Sequence, residues 1–575
     1  MRILAFLVAI AAALLVNSAH APVVTMANQL VAILGWGLVM LLAPAPALQR
    51  ATWRAVAPLL LVFGLATAAC LAAVVSGTYP SSLGTAVMGV LVLAAAVTLH
   101  GASAGACGSD VLFRAFAIAL VACGLCESVI AVLQVFDYGQ LDNDLIAIPV
   151  QRGRAVGNIG QSNQLADTLL WALIAMVPLA RAWRGAAADG RARLARAGWC
   201  VAALLMLLGI VLSGSRTALL ALVLMALWGL ADRGLARPLR TGLAISPLVA
   251  FALVWLVGVV SRVSGQEVAL LDRGEAAGVT AHRGEIWGNA IAMMKDQPWL
   301  GTGWGQFNFA WTLTPFTTRS AGLVDNAHDL PLQLAVELGV PAALVLVGLL
   351  VWALWMAGRR VWRLAGDAGV NARSTLMIVV VMGLHSLLEY PLWFAYLLLP
   401  TAWAFGLALG VSARTAAAPA GEVAAPLRAW RVLGAMFAVV AASAWLDYQN
   451  IVLLYEPTAT SLPLPERVQR AQLSPLFAHK ADRVAVIDLA PSPGTAVALR
   501  HASHELLDGR MLYVWANQLH ADGQEDKARY VAARLREFDL SGPKPWFAPC
   551  SDPAVTAKPF QCLAPEHPVT WRDFR

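Results

Sequence analysis

The chain has 575 residues, 59% of them hydrophobic and only 13% charged, with a mean hydropathy of +0.67. A soluble globular protein carries roughly 25% charged residues, so the composition excludes that class and predicts an all-α polytopic membrane protein. A formal charge of +7 would suggest nucleic acid in a soluble chain, but here the arginines cluster between apolar runs, as orientation signals do, and no nucleic-acid partner is expected.

Apolar runs near the roughly 17–25 residues that cross a bilayer lie at 3–18, 27–45, 56–76, 82–101, 111–136, 166–183, 197–213, 216–231, 241–260, 331–357, 375–390, 391–411 and 430–446. They predict about thirteen transmembrane helices. Met1-Arg2, the first run and Ala19-His20-Ala21 also fit a secretory signal peptide with an A-x-A cleavage site. A chain with many spans needs no such signal, which favours retention, and cleavage leaves the later topology unchanged.

Positive charge marks cytoplasmic loops. Arg50 and Arg54 follow the second run, Arg181, Arg184, Arg191, Arg193 and Arg196 the sixth, and Arg233, Arg237 and Arg240 the eighth. Arg359, Arg360, Arg363 and Arg373 follow the tenth, and Arg414 and Arg428 the twelfth. Each cluster falls after an even-numbered run. Every even connection is then cytoplasmic, while the polar stretch 261–330 and the region after Leu446 face outward. The expected organisation is a transmembrane domain over 1–446 with a large outward loop at 261–330, and a small helical outward domain over 447–575.

In that tail, His501 to Phe538 reads as two amphipathic helices around a turn at Asp522-Gly523, with Ala516, Leu519, Ala528, Val531, Ala532 and Leu535 on the packing face. The pair suits either a single tetratricopeptide-like unit or a small helical cap. Cys550 and Cys562 flank a proline-containing loop on the outward side, where an oxidising compartment permits a disulfide. The other five cysteines lie in or beside apolar runs and read as small buried residues. No zinc-ligand spacing, Walker A loop or Rossmann glycine fingerprint is found, so no metal and no cofactor is expected.

Five polar clusters map to the outward side. Gly157-Asn158-Ile159-Gly160-Gln161-Ser162-Asn163-Gln164 leads into the sixth run, and reads either as uncharged ligand contacts or as a loop capped at Ser162 or Asn163. Ser213-Gly214-Ser215-Arg216 puts a cation at an outward end, against the positive-inside trend, which favours an anionic partner such as phosphate. Arg283, in Ala281-His282-Arg283-Gly284-Glu285-Ile286-Trp287, offers a planar fork suited to phosphate, and a Trp- and Gly-rich segment, 298–307, follows it. Asp325-Asn326-Ala327-His328-Asp329-Leu330-Pro331 sets a histidine at a helix start, with Asp329 able to cap and Pro331 tolerated in the first turn. His385-Ser386-Leu387-Leu388-Glu389-Tyr390-Pro391-Leu392-Trp393 marks a helix break, where Glu389 is costly unless paired.

Taken together, Gly157-Asn158-x-x-Gln161-x-Asn163, Ser213-Gly214-Ser215-Arg216, Ala327-His328-Asp329-Leu330-Pro331-Leu332-Gln333-Leu334 with Glu337-Leu338-Gly339, and His385 to Trp393 resemble bacterial protein O-oligosaccharyltransferases of the PglL type, in the O-antigen ligase and polymerase superfamily. The family usually has Asn after the His; Asp329 stands there here. The resemblance implies an enzyme of the bacterial inner membrane, with its active site on the periplasmic face. It would transfer a preassembled oligosaccharide from undecaprenyl pyrophosphate to Ser or Thr hydroxyls of periplasmic or pilin-like proteins.

By the same resemblance, His328, Arg283 and Arg216 are the catalytic candidates, and Gln161, Asn163, Tyr390, Glu389 and Asn326 the substrate-binding ones. A pyrophosphate needs cations as it departs, and an imidazole suits proton transfer near neutral pH. A metal-independent displacement with inversion is expected. The near alternative is an O-antigen ligase acting on lipid A-core. A transporter of a lipid-linked solute is the alternative from another class, and it predicts mid-span charge pairs and inverted repeats.

Overall fold

A computed structural model of the chain describes all residues except 19–20, 181–189, 266–267, 269–272, 320–322, 414–427, 457–459, 490–494 and 539–543, together with the side chains of 140, 273–282 and 544. The Ala19-His20 part of the signal-peptide reading, Arg181 and Arg184, and Arg414 lie outside the described residues. Among the described residues the chain is helical, with no β-strand.

Nine described helices are long and apolar enough to cross a membrane: Arg50–Val75, Ser81–Ala106, Asp110–Phe136, Gly190–Ser213, Arg237–Ser264, Val340–Val361, Gly366–Ser386, Ala395–Ala413 and Arg428–Tyr455. The protein is therefore an integral membrane protein. Arg2–Leu15, Met26–Leu42 and Arg216–Ala231 are shorter apolar helices, and Ser162–Leu179 is buried along nearly its whole length. The apolar run at 331–357 is broken into two helices, Leu330–Leu338 and Val340–Val361. The break is Gly339, at φ +80°, where a Cβ would meet the Trp299 carbonyl oxygen at 2.2 Å.

The residues form two compact units, one of 1–63, 92–273 and 349–445, the other of 64–91, 274–348 and 446–575. In the first, Asp110–Phe136 packs against Ser162–Leu179 and Gly190–Ser213. Ser81–Ala106 and Ala395–Ala413 meet there through facing G-x-x-x-G faces. A Cβ on Gly101 would lie 2.3 Å from the Trp403 carbonyl oxygen, and one on Gly406 2.0 Å from that of Thr98. Lipid offers no hydrophobic drive between helices, so such close backbone approach is how spans gain contact.

The second unit has an aromatic-rich core of its own. Phe307–Leu313 is a short helix that is buried throughout. Phe307, Phe309, Trp311 and Leu313 pack in one cluster with Leu507, Met511, Trp515, Leu535 and Trp571. Asn308 tolerates this burial because it is satisfied on both sides, donating to Val324 O at 3.0 Å and accepting from Leu507 N at 2.7 Å. The amphipathic pair forms as Gly509–Ala521 and Glu525–Glu537, turning at Gly523 with φ +73°. It does not stand alone: Ala478–Asp488 packs against Thr495–Glu505 and Gly509–Ala521. Cys550 and Cys562 are disulfide-bonded, with a Cα–Cα distance of 5.1 Å.

The stretch 261–330 is largely helical, because Arg237–Ser264 runs past its start and Arg273–Asp296 fills its middle. Buried Arg319 ties the end of this stretch to the tail. Its guanidinium donates to Glu537 at 3.0 Å, to Trp311 O at 3.1 Å and to Thr314 O, and lies between the rings of Phe316 and Phe538.

Candidate functional site

In the first unit the loop before Ser162–Leu179 is built on three buried side chains. Gln134 accepts from Val156 N and Gly157 N, each at 2.9 Å, and donates to Gly157 O at 3.0 Å. Asn158 donates to Leu15 O at 2.8 Å and Leu145 O at 2.9 Å, and accepts from Ala147 N at 3.1 Å. Glu127 accepts from Asn158 N at 3.3 Å, and a Cβ on Gly157 would strike its carboxylate. Asn158 is thus a loop organiser. The helix cap is Gln161, not Ser162 or Asn163: its side chain accepts from Gln164 N at 2.8 Å. A longer side chain closes the same gap that Asn or Ser would.

Two other polar clusters meet this loop. Ala155 N donates to Leu212 O and Arg154 Nε to Ser213 O, both at 3.0 Å, which joins it to Ser213-Gly214-Ser215-Arg216. Ser215 caps Arg216–Ala231 by accepting from Ala218 N at 3.4 Å, so exposed Arg216 sits at that helix's first position. On another side, Asn163 Nδ2 donates to Glu389 Oε1 at 3.1 Å. Asp167 pairs with His385, and Tyr396 donates to Gln164 Oε1 at 2.6 Å. Tyr390, half-buried, leads the turn Pro391–Trp393 and stacks on Phe394. Gln161, Asn163, Arg216, Glu389 and Tyr390 therefore belong to one polar assembly.

Arg283, Asn326 and His328 belong to the second unit. His328 has φ +51°, the left-handed region, and is the only non-glycine residue with positive φ among those described. An L-residue there is strained by about 1–2 kcal/mol, and such strain gathers at functional positions. The turn is over-determined. His328 N donates to Asn326 Oδ1 at 2.9 Å, Ala327 N to Gln333 Oε1 at 2.7 Å, and the Trp287 indole to Ala327 O at 3.0 Å. Asp329 caps Leu330–Leu338 by accepting from Leu332 N at 2.7 Å, so this residue has a local structural task. Burial raises its carboxyl above the usual range, against that hydrogen bond.

Arg283 and Trp287 lie four residues apart on Arg273–Asp296, hence on one face of it. Half-buried Arg283 is one helical turn from the indole that touches the His328 turn. Behind that turn, Glu337 accepts from Gly305 N at 2.9 Å, Phe307 N at 3.2 Å and Gln333 Nε2 at 2.9 Å. Burial still pushes its carboxyl up to about 7, with those three donors pulling it down. No cluster of His, Cys, Asp and Glu among the described residues could hold a metal ion.

Gln333, Glu337, Asp167 and Glu127 were not among the candidates drawn from the sequence. Three of them had a signal there. Gln333 and Glu337 are an amide and a carboxylate at i and i+4 on one helix face, and Asp167 is a charge inside an apolar run, which calls for a partner.

Residues 201–347 match the O-antigen ligase family, and residues 374–538 match the family described as virulence factor membrane-bound polymerase, C-terminal. The chain is also similar to a general O-oligosaccharyltransferase of Acinetobacter baylyi, at 28% identity over 180 residues. That alignment covers 30% of this chain and 29% of the relative, so it spans under a third of either protein.

Proposed function

From a chain of the O-antigen ligase superfamily, we propose an oligosaccharyltransferase that moves a preassembled glycan from undecaprenyl pyrophosphate to a Ser or Thr hydroxyl of a periplasmic, pilin-like protein. Its place is the bacterial inner membrane, with 1–446 as the transmembrane domain and the 261–330 stretch and 447–575 on the periplasmic face. The observation that carries this reading is His328, braced at φ +51° and half-buried at the start of Leu330–Leu338, the short helix that leads into the span Val340–Val361.

In the proposed step the acceptor oxygen attacks the anomeric carbon from the face opposite the pyrophosphate. The sugar–phosphate bond breaks with inversion, and the hydroxyl proton passes to His328 and then to water. The pyrophosphate leaves with its electron pair, its charge met by the guanidinium forks of Arg283 and Arg216. Gln161, Asn163, Glu389, Tyr390 and Asn326 are assigned to holding sugar and acceptor. The chemistry asks for no nucleotide and no divalent metal.

A second reading, transfer to lipid A-core, is favoured by the family description matched over 201–347. Purified protein given undecaprenyl-pyrophosphate glycan with either a pilin-like protein or lipid A-core separates the two, with the product identified by mass spectrometry. Glycosylated Ser or Thr supports the first reading, and glycosylated core the second. No product on either from folded protein sinks both.

A further inference from the structure

The His328 turn is oriented by groups outside it, and they form one continuous chain of hydrogen bonds. It begins in the glycine-rich segment, where Gly305 N and Phe307 N donate to the Glu337 carboxylate at 2.9 and 3.2 Å. It passes through Gln333, whose Nε2 donates to Glu337 Oε1 at 2.9 Å, and ends where Gln333 Oε1 accepts Ala327 N at 2.7 Å, one residue before His328. Gln333 is 4% exposed and Glu337 8%, so water is a poor substitute for any of these partners.

Polarity makes the chain directional. An amide has one accepting and one donating end, whereas an ionised carboxylate only accepts. Facing a carboxylate, Gln333 has one favourable orientation, with its NH2 toward Glu337 and its oxygen toward Ala327 N. That oxygen, together with Asn326 and the Trp287 indole, holds the backbone of His328 in the left-handed region it would otherwise leave. Ala327 has no use for the opposite orientation, since two donors would then face each other.

We propose that Gln333 and Glu337 are positioning residues of the transfer reaction, acting through the backbone of the His328 turn to hold the imidazole where it can accept the proton. The proposal rests on the reading of His328 as the base. The segment 298–307, with its Trp and Gly, then serves as the fixed end of this relay. Gly301 permits it: a Cβ there would meet the Glu337 carbonyl carbon at 2.4 Å, and one on Gly305 the Tyr79 ring at 2.3 Å.

The test compares turnover and donor KM for wild type, His328→Ala, Gln333→Glu, Glu337→Gln and the double exchange Gln333→Glu with Glu337→Gln, alongside melting curves. Each single change sets like groups against one another. Each is expected to lower kcat by about 10–100-fold, the range for partners that orient a reacting group, with KM unchanged within about twofold. The double exchange restores a carboxylate oxygen for Ala327 N and an amide donor toward it, at the cost of setting that amide against Phe307 N, and is expected to recover kcat in part, about threefold over the weaker single variant. A merely structural pair would lose kcat only in step with folded protein.

Single variants with kcat within about twofold of wild type, while His328→Ala is inactive, overturn the proposal. So does a double exchange that folds like wild type and is no better than the singles. If Gln333→Glu does not fold, Gln333→Met, of similar length and with no hydrogen bond to give, takes its place: the same fall in kcat supports the relay and unchanged kcat overturns it. Full turnover by His328→Ala refutes the base itself, and is thereby distinct from failure of the relay.

Discussion

Replacing His328 by glycine or asparagine is expected to give a fold at least as stable as replacing it by alanine, while cutting transfer sharply. At φ +51° the native residue carries about 1–2 kcal/mol of backbone strain that glycine does not feel and asparagine feels less. Glycine returns about 0.5–1 kcal/mol of this through the greater freedom of the unfolded chain. The net gain is then about 0.5–1 kcal/mol. Alanine keeps the strain. The bonds that hold the turn use the backbone of Ala327 and His328, so all three substitutions retain them. For a unit of this size 1 kcal/mol moves a melting midpoint by about 2–4 °C. His328→Gly should therefore melt about 1–4 °C above His328→Ala, with His328→Asn at or above His328→Ala. Transfer should fall by about 10²–10⁴-fold in all three, the usual share of general acid–base catalysis. Tryptophan fluorescence melts in nanodiscs and a turnover assay give both numbers. A glycine variant that melts below the alanine variant contradicts the strain, and near-normal transfer by any of the three contradicts the base.

Arg216→Ala and Arg283→Ala should each lose donor affinity, turnover or both, and Arg→Lys should rescue only in part because the ammonium lacks the planar fork; full activity in either alanine variant removes that arginine from the mechanism. Chelators should leave wild-type turnover unchanged, and a chelator-sensitive rate would argue for a metal. Stability should depend on pH through opposing groups. Burial lowers His479 and His504 to about 4, so their contribution is complete above about 6.5 and lost as pH falls through 4, whereas Glu337, raised to about 7, stabilises at low pH and loses this as pH rises from about 4.5 through 7. Glu337→Gln should accordingly show a steeper rise in melting temperature across that window than wild type, and superimposable profiles would refute the assignment. Arg319→Met should destabilise the second unit by about 1–3 kcal/mol, because it strands the Trp311 and Thr314 carbonyls while Glu537 keeps Arg534 at 2.7 Å, with early hydrogen exchange in 307–319 and 525–537 as the readout and native-like exchange as the refutation. Reporter fusions after Gly160 and Thr314 should both score periplasmic; a cytoplasmic signal at Thr314 would put the site on the wrong side of the membrane.

Much of the helical plan was legible because apolar length and arginine spacing act locally. Among the described residues, most of each apolar run is helical, since a span satisfies its backbone internally whatever its neighbours do. The break at Gly339 was not legible: hydropathy continues through it, and only the approach of the Trp299 backbone forces the bend. The role of Asn158 was equally hidden. Its composition suits a ligand, and only long-range partners at Leu15 and Leu145 show that it organises a loop. His328 was visible as a histidine at a helix start, while its left-handed backbone depends on Gln333, Asn326 and Trp287 meeting in space. Short-range pattern finds the elements, and what satisfies each buried polar group stays out of its reach.

The second unit is assembled from three stretches that the ribosome delivers at very different times. Phe307, Phe309 and Trp311 must wait for Leu507, Met511 and Trp515 before they are covered. Between 348 and 446 lie nearly a hundred residues of the other unit, roughly 5–20 s of synthesis at usual rates. Throughout that interval the aromatic segment lacks the partners that cover it, while the turn bearing His328 already has its own, at Trp287, Asn326 and Gln333. A nascent chain stalled before the tail would thus leave Phe307, Phe309 and Trp311 uncovered, with the bracing of the His328 turn in place before its surroundings are.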